Sequence, residues 1–102
     1  MYRWIRTAKI ANGRFPQAIG WAKEMTGFAQ KKFKTPEISL YVTAIGEQGV
    51  VRWECEYPDL ATFERVQAAV LTDSEYWQYV ARANQEQLFV DGYTHDTLLR
   101  KV

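Results

Sequence analysis

The sequence contains one histidine, His95, in the segment Tyr93-Thr94-His95-Asp96. A single imidazole is a candidate general base or axial ligand, whereas a metal site built from several histidines of one chain is excluded. The alternative is an ordinary surface or interface histidine. We therefore take His95 as the candidate catalytic residue and predict no metal site and no cofactor.

Charged and aromatic side chains provide the candidate binding residues. Arginine and glutamate on neighbouring strands form either a cluster that holds an anionic group of a substrate or a ladder of ion pairs that helps two subunits close. Aromatic rings either stack on a flat organic ligand or fill the interior. The candidate ligand-binding residues are Trp4, Arg6, Tyr41, Arg52, Glu54 and Tyr93.

Cys55 is the only cysteine, so no intrachain disulfide forms, which suits a reducing cytoplasm. No base is recognisable beside it, and we expect a buried thiol rather than a nucleophile. The sequence begins without the apolar stretch of a signal peptide, and no apolar run approaches the roughly 18 residues of a membrane span. We expect a cytoplasmic protein without a membrane partner.

Hydrophobic periodicity indicates four strands, with one helical unit before the second strand and another before the fourth strand. Strands are predicted at 2–10, 37–45, 50–57 and 88–99, the last with a possible bulge at Gly92, and a helix at 14–33. Asp59 is a plausible N-cap for a second helix. A capping box of Thr72 with Glu75 then begins a third segment, so the helix breaks near Leu71. The order is β-α-β-β-α-β, a ferredoxin-like α+β domain.

Size and composition set the broad class. A chain of 102 residues forms a single domain, 1–102, with one modest core. A net charge of +1, with the charges spread along the chain, argues against a nucleic-acid partner. Aromatic residues make up 15% of the chain, more bulky rings than so small a core usually holds. Some of these rings should therefore lie at a pocket or an interface.

Helices on one face of a four-stranded sheet leave its other face bare. Alternation assigns Ile38, Leu40, Val42, Val51, Trp53 and Cys55 to the helix-packed face. The bare face is predicted to carry Tyr41, Arg52, Glu54, Trp4, Arg6, Tyr93 and His95. An exposed sheet face with several rings is sticky, and a second copy of the chain is the simplest cover. We therefore predict a homodimer in which two sheets form a dimeric α/β barrel.

Three segments resemble a known family: Tyr2 to Thr7, Trp53 to Leu60, and above all Ala68 to Val80, with its acidic break between two helices. They are similar to the NIPSNAP group of the dimeric α/β-barrel superfamily. The resemblance implies a homodimer with a cavity at each sheet. That superfamily includes cofactor-independent oxygenases, haem-degrading enzymes, small isomerases and proteins of unknown role, so the fold alone does not select a reaction.

Two functions stay open at this point. In the first, a pocket of the dimer barrel binds a small hydrophobic or aromatic molecule, with cofactor-independent monooxygenation or isomerisation as the possible chemistry. In the second, the chain is a non-catalytic, structural or stress-related dimeric module whose interior is filled by its own side chains. The second function predicts that there is no continuous cavity.

Overall fold

The computed structural model describes residues 1–102. Its elements follow the predicted order, with the second helical unit divided in two. They are β1 (Tyr2–Lys9), α1 (Phe15–Phe33), β2 (Ile38–Val42), β3 (Val50–Tyr57), α2 (Leu60–Leu71), α3 (Ser74–Gln85) and β4 (His95–Arg100).

The four strands form one antiparallel sheet in the order β2-β3-β1-β4. The two longest strands, β1 and β3, are central, and the shorter strands form the edges. All three helices lie on one face. This arrangement confirms the predicted ferredoxin-like α+β fold.

The pairing of β1 with β3 corrects the predicted side of two residues. Residues directly opposite each other in an antiparallel pair point to the same face of the sheet. Trp4 lies opposite Cys55, and Arg6 lies opposite Trp53. Trp4 and Arg6 therefore face the helices, and their predicted place on the bare face is wrong.

Both edge strands are shorter than predicted. The last strand begins only at His95, because the chain turns at Gly92, whose φ is +74°. Upstream of that turn, Phe89 makes only an isolated bridge with Ile10. Strand β2 ends at Val42, which is 47% exposed instead of packing under a helix. Turns at both places take the chain away from the sheet before the apolar pattern ends.

Side-chain caps determine where the second and third helices begin. Asp59 caps α2 as predicted, accepting a hydrogen bond from the Thr62 amide at 2.7 Å. The cap of α3 is Asp73 rather than Thr72, and it accepts from the Tyr76 amide at 2.9 Å. The Thr72 hydroxyl instead donates to the Ala68 carbonyl of the preceding helix at 3.0 Å. The predicted break near Leu71 is confirmed, with its cap one residue later.

The core lies between the sheet and the helices. Ala18 and Ala22 of α1 are fully buried and let the helix approach the sheet closely. They pack in one cluster with Val51, Trp53 and other buried residues of β1, β3 and α3. A second cluster joins Cys55 and Tyr57 of β3 to Phe33 and Val66.

Gly27 lies in the middle of α1, where a Cβ would meet nothing within 4 Å. Glycine in a helix costs more backbone entropy than alanine. We expect Gly27→Ala to raise the free energy of unfolding by about 0.5–1 kcal/mol in urea denaturation, with an unchanged m-value. The control is Gly46→Ala, which should destabilise, because Gly46 has a φ of +127°. A neutral or destabilising Gly27→Ala would contradict this account.

Asp73 links the start of α3 to α1, because its carboxylate lies 2.7 Å from Lys32 Nζ. The hydrogen bond to Lys32 and that from the Tyr76 amide hold the pKa of Asp73 below its ordinary value of 3.8. A lowered pKa stabilises the fold above the ordinary value, and this stabilisation is lost as pH falls through the lowered one.

We expect Asp73→Asn, which retains the cap but not the charge, to melt below the wild type at pH 7. The difference between the two melting temperatures should shrink once pH falls below 3.8. Melting curves between pH 2 and pH 7 measure this, with Asp91→Asn on the exposed turn as the control. A difference that is the same at pH 2.5 and pH 7 would rule out the Lys32 ion pair as its cause.

Candidate functional site

A cavity of about 380 Å³ lies between the helix-packed face of the sheet and the helices. Of its 26 lining residues, 18 are hydrophobic. Pockets for small organic molecules typically measure roughly 300–1,000 Å³ and have apolar walls with few polar groups. The cavity thus has the size and lining of a small-molecule site, and it lies within one chain, between its sheet and its helices.

All four tryptophans of the chain line this cavity. The rings of Trp21 and Trp53 pack edge to face with their centroids 6.5 Å apart, and the centroid of the Phe89 ring lies 5.4 Å from that of Trp21. The Trp21 indole N–H donates to the Tyr79 carbonyl at 2.9 Å, and that of Trp53 donates to the Thr26 hydroxyl at 3.1 Å. These bonds hold the two indole rings in place. The sequence predicted that some rings would lie at a pocket or an interface, and these rings line a cavity on the helix-packed side of the sheet.

The opening of the cavity is apolar as well. Leu71, Trp77 and Val90 line the cavity and are 50%, 47% and 40% exposed. Leu71 and Trp77 flank the break between α2 and α3, and the Trp77 indole N–H donates to the Leu71 carbonyl at 2.8 Å. These exposed residues lie at the break between α2 and α3 and at the turn before β4.

Arg6 supplies a charged group in the cavity wall. Its Nε and Nη2 atoms each lie 2.7 Å from a different carboxylate oxygen of Asp96, and its Nη1 donates to the Tyr76 hydroxyl at 3.4 Å. The guanidinium also lies over the Trp4 ring, 5.4 Å from its centroid. Burial works to lower the pKa of Arg6, but the bonds to Asp96 and Tyr76 outweigh it and hold that pKa above its ordinary value. Arg6 is therefore a permanent cation, paired at short range.

Two members of this cluster, Tyr76 and Asp96, were missed by the sequence reasoning. Asp96 lies opposite Arg6 in the pairing of β1 with β4, a register that the predicted long last strand did not define. Tyr76 belongs to the apolar stripe of α3, where its ring packs and only its hydroxyl reaches Arg6. The periodicity of α3 marks Tyr76 as a core residue and gives no sign of the polar contact.

Tyr41, Arg52 and Glu54 lie on the uncovered face, as predicted. Arg52 Nε lies 2.8 Å from a Glu54 carboxylate oxygen, and Arg3 lies 3.8 Å from the other oxygen. Tyr41 lies opposite Arg52. These residues form a row of ion pairs across the strands, and the sheet separates them from Trp4 and Arg6. The six predicted ligand-binding residues therefore do not form one site.

His95 and Tyr93 lie near the start of β4. His95 is exposed on the uncovered face, opposite Thr7. Tyr93 precedes the strand, with its ring 6.1 Å from that of His95 and its hydroxyl 3.4 Å from Glu47. Neither residue lines the cavity, although their neighbours Gly92 and Thr94 do, and His95 faces the opposite side of the sheet.

Cys55 is buried and forms no disulfide. Its thiol donates to the Pro36 carbonyl at 3.5 Å, and burial raises its pKa. A thiol with a raised pKa is a poor nucleophile. The expectation of an inert core cysteine agrees with this environment.

Comparison with known proteins identifies the family. The NIPSNAP family profile matches residues 2–99, almost the whole chain. The chain belongs to the NIPSNAP family. None of the curated proteins matches its sequence. The predicted NIPSNAP resemblance is therefore confirmed.

Solved structures similar to this NIPSNAP chain share its fold at low sequence identity. A NIPSNAP family protein of unknown function from Agrobacterium tumefaciens matches with a TM-score of 0.81 and 15% identity, over 100% of this chain and 88% of the other. A NIPSNAP-like domain protein from Burkholderia xenovorans matches with a TM-score of 0.79 and 21% identity, over 99% of this chain and 84% of the other. A putative antibiotic biosynthesis monooxygenase from Deinococcus radiodurans matches with a TM-score of 0.74 and 8% identity, over 100% of this chain and 93% of the other.

These identities show a common fold and carry no reaction to this NIPSNAP chain. None of its three helices combines the length and the apolar character that a membrane crossing requires.

Proposed function

We propose that this NIPSNAP chain binds a small, largely apolar aromatic molecule in the cavity between its sheet and its helices. The observation that carries the proposal is a cavity of about 380 Å³ whose wall includes all four tryptophans. Aromatic walls favour a flat ring, which gains contact area and offset or edge-to-face stacking. The site that we propose replaces the barrel interior predicted from the sequence.

The cavity also weighs against the alternative of a structural module. A chain that serves only as a dimeric scaffold gains stability by filling its interior, since an unfilled cavity costs free energy. Here the exposed residues Leu71, Trp77 and Val90 line a cavity that the side chains of this chain do not fill. A ligand that occupies this space would stabilise the folded state by mass action.

We further propose that the uncovered face of the sheet pairs with the same face of a second copy, giving a homodimer. Ile5, Tyr41 and Leu99 offer apolar contacts on that face, and Tyr41 and Leu99 are about half exposed. Between them run the paired charges of Arg52 and Glu54. A face that carries both signs of charge is complementary to itself across a two-fold axis, as an isologous interface requires.

Cofactor-independent monooxygenation is the chemistry that we attach to this pocket, with isomerisation as the alternative. In the oxygenation, a CH₂ group in a partly saturated ring fused to the aromatic ring reacts with O₂ to give a ring carbonyl and water, so that one oxygen atom enters the ligand and the other leaves with the two hydrogens. Dry aromatic walls protect a reactive ring intermediate from water. The Tyr76 hydroxyl, held by Arg6, is the group placed to exchange a proton with a ligand oxygen.

A reducing, cytoplasmic setting accords with this proposal. The single cysteine, Cys55, is buried and unpaired, so the fold is complete without a disulfide. Molecular oxygen and small aromatic molecules both reach such a compartment by diffusion.

Tryptophan fluorescence tests the ligand site. We expect naphthalene to quench the emission saturably in the wild type. Val80→Phe, which places a larger side chain in the cavity wall, should weaken binding at least about tenfold, a change of about 1.4 kcal/mol. The control is Val42→Phe on the exposed edge strand, which should bind like the wild type. An absence of saturable quenching, or equal affinity in the two variants, would overturn the proposed site.

Sedimentation velocity at micromolar concentration tests the homodimer. The wild type should sediment as a dimer, and Ile5→Arg, at the centre of the uncovered face, should yield a folded monomer because it replaces an apolar contact with a bulky charged side chain that can pair with Glu54 of its own chain. Phe15→Arg, on α1, is the matched control and should stay dimeric. A wild-type chain that sediments as a well-folded monomer would rule out the interface.

A further inference from the structure

We propose that the cavity selects a neutral aromatic ligand that carries a hydrogen-bond acceptor, such as an aromatic ketone or quinone, and discriminates against the corresponding carboxylate. This inference rests on the proposed function and names the class of ligand for the same site. It follows from how the charge of Arg6 is already used and from which hydrogen-bond donors are left over.

The first step concerns charge. An arginine in an apolar pocket commonly holds an anionic group of a ligand. Here the two 2.7 Å contacts give Asp96 the bidentate geometry that a bound carboxylate would otherwise take. Asp96 itself does not line the cavity and pairs with Arg6 from the neighbouring edge strand, β4. A ligand carboxylate would then enter an apolar space beside a neutralised pair and lose its hydration without gaining a free cation.

The second step concerns hydrogen-bond donors. Three of the four indole N–H groups, those of Trp21, Trp53 and Trp77, already donate to protein oxygens. The Tyr76 oxygen accepts from Arg6, which leaves its O–H proton free to donate elsewhere. Arg6 has five N–H groups and uses three of them on Asp96 and Tyr76. The end of the cavity at Arg6 and Tyr76 therefore has hydrogen-bond donors that no protein group uses.

The third step concerns rigidity. Tyr76 is only 8% exposed, and its ring packs edge to face on Trp77 at 5.0 Å. The guanidinium of Arg6 is held by its hydrogen bond to Asp96 and by its contact with the face of the Trp4 ring. Donors fixed in this way lose little side-chain entropy when they bind, so they discriminate sharply between ligands with and without an acceptor oxygen. The ketone oxygen, an acceptor without a charge, is the complement of this end of the cavity.

Three flat probes of one skeleton test the inference: naphthalene, 2-acetylnaphthalene and 2-naphthoate, titrated at pH 7 against tryptophan fluorescence. We expect the wild type to bind the ketone at least about tenfold more tightly than either of the others. Tyr76→Phe, which removes only the hydroxyl, should bring the ketone to the level of naphthalene and leave naphthalene unchanged. Asp96→Asn keeps the shape of the wall but frees the charge of Arg6, and should raise the affinity for 2-naphthoate at least about tenfold.

The wild-type ranking alone decides the main claim, even if a variant does not fold. A carboxylate that binds the wild type as tightly as the ketone would overturn the inference, as would a Tyr76→Phe variant that weakens all three probes equally. Failure of the proposed function gives a different result, because then none of the three probes binds. Circular dichroism and melting curves of each variant confirm that the affinities compare folded proteins.

Discussion

The register between the two central strands is the constraint on which the rest of the structure depends. With Trp4 opposite Cys55 and Arg6 opposite Trp53, one face of the sheet receives the rings and the cation that the helices then enclose. A shift of one residue would send the whole set to the other face. The cavity, its charged wall and the uncovered face all follow from this one pairing, and no single side-chain contact has a comparable reach.

The sequence predicted the order of the elements and the fold well, because apolar spacing, caps and turns are local signals. β3, α1 and the break after Leu71 come out almost at their observed limits. The sequence could not predict which face of β1 points toward the helices, because each face carries both polar and apolar side chains. Only the pairing with the partner strand decides it. The cluster of Arg6, Tyr76 and Asp96 was out of reach for the same reason: its members come from distant parts of the chain.

The Arg6 cluster also changes how charge in this chain is interpreted. On the uncovered face, arginine and glutamate form ion pairs at partly exposed positions, where each pair contributes little to stability. Arg6 and Asp96 are exposed to a similar degree, but Arg6 also lines the cavity. Under the proposal above, an ion pair of the same kind has a second role there, which is to set the charge of the ligand that the cavity accepts.

The alternation along β1 has an evolutionary consequence. Residues 4 and 6 of this strand form part of the chamber wall, whereas residues 3, 5 and 7 belong to the opposite surface, and both sets share one backbone. A mutation that bends or twists this strand to accommodate a different ligand in the proposed site disturbs the opposite surface at the same time. Adaptation to different ligands should therefore proceed mainly through α2, α3 and the turn before β4, and relatives should diverge there sooner than in the central strand.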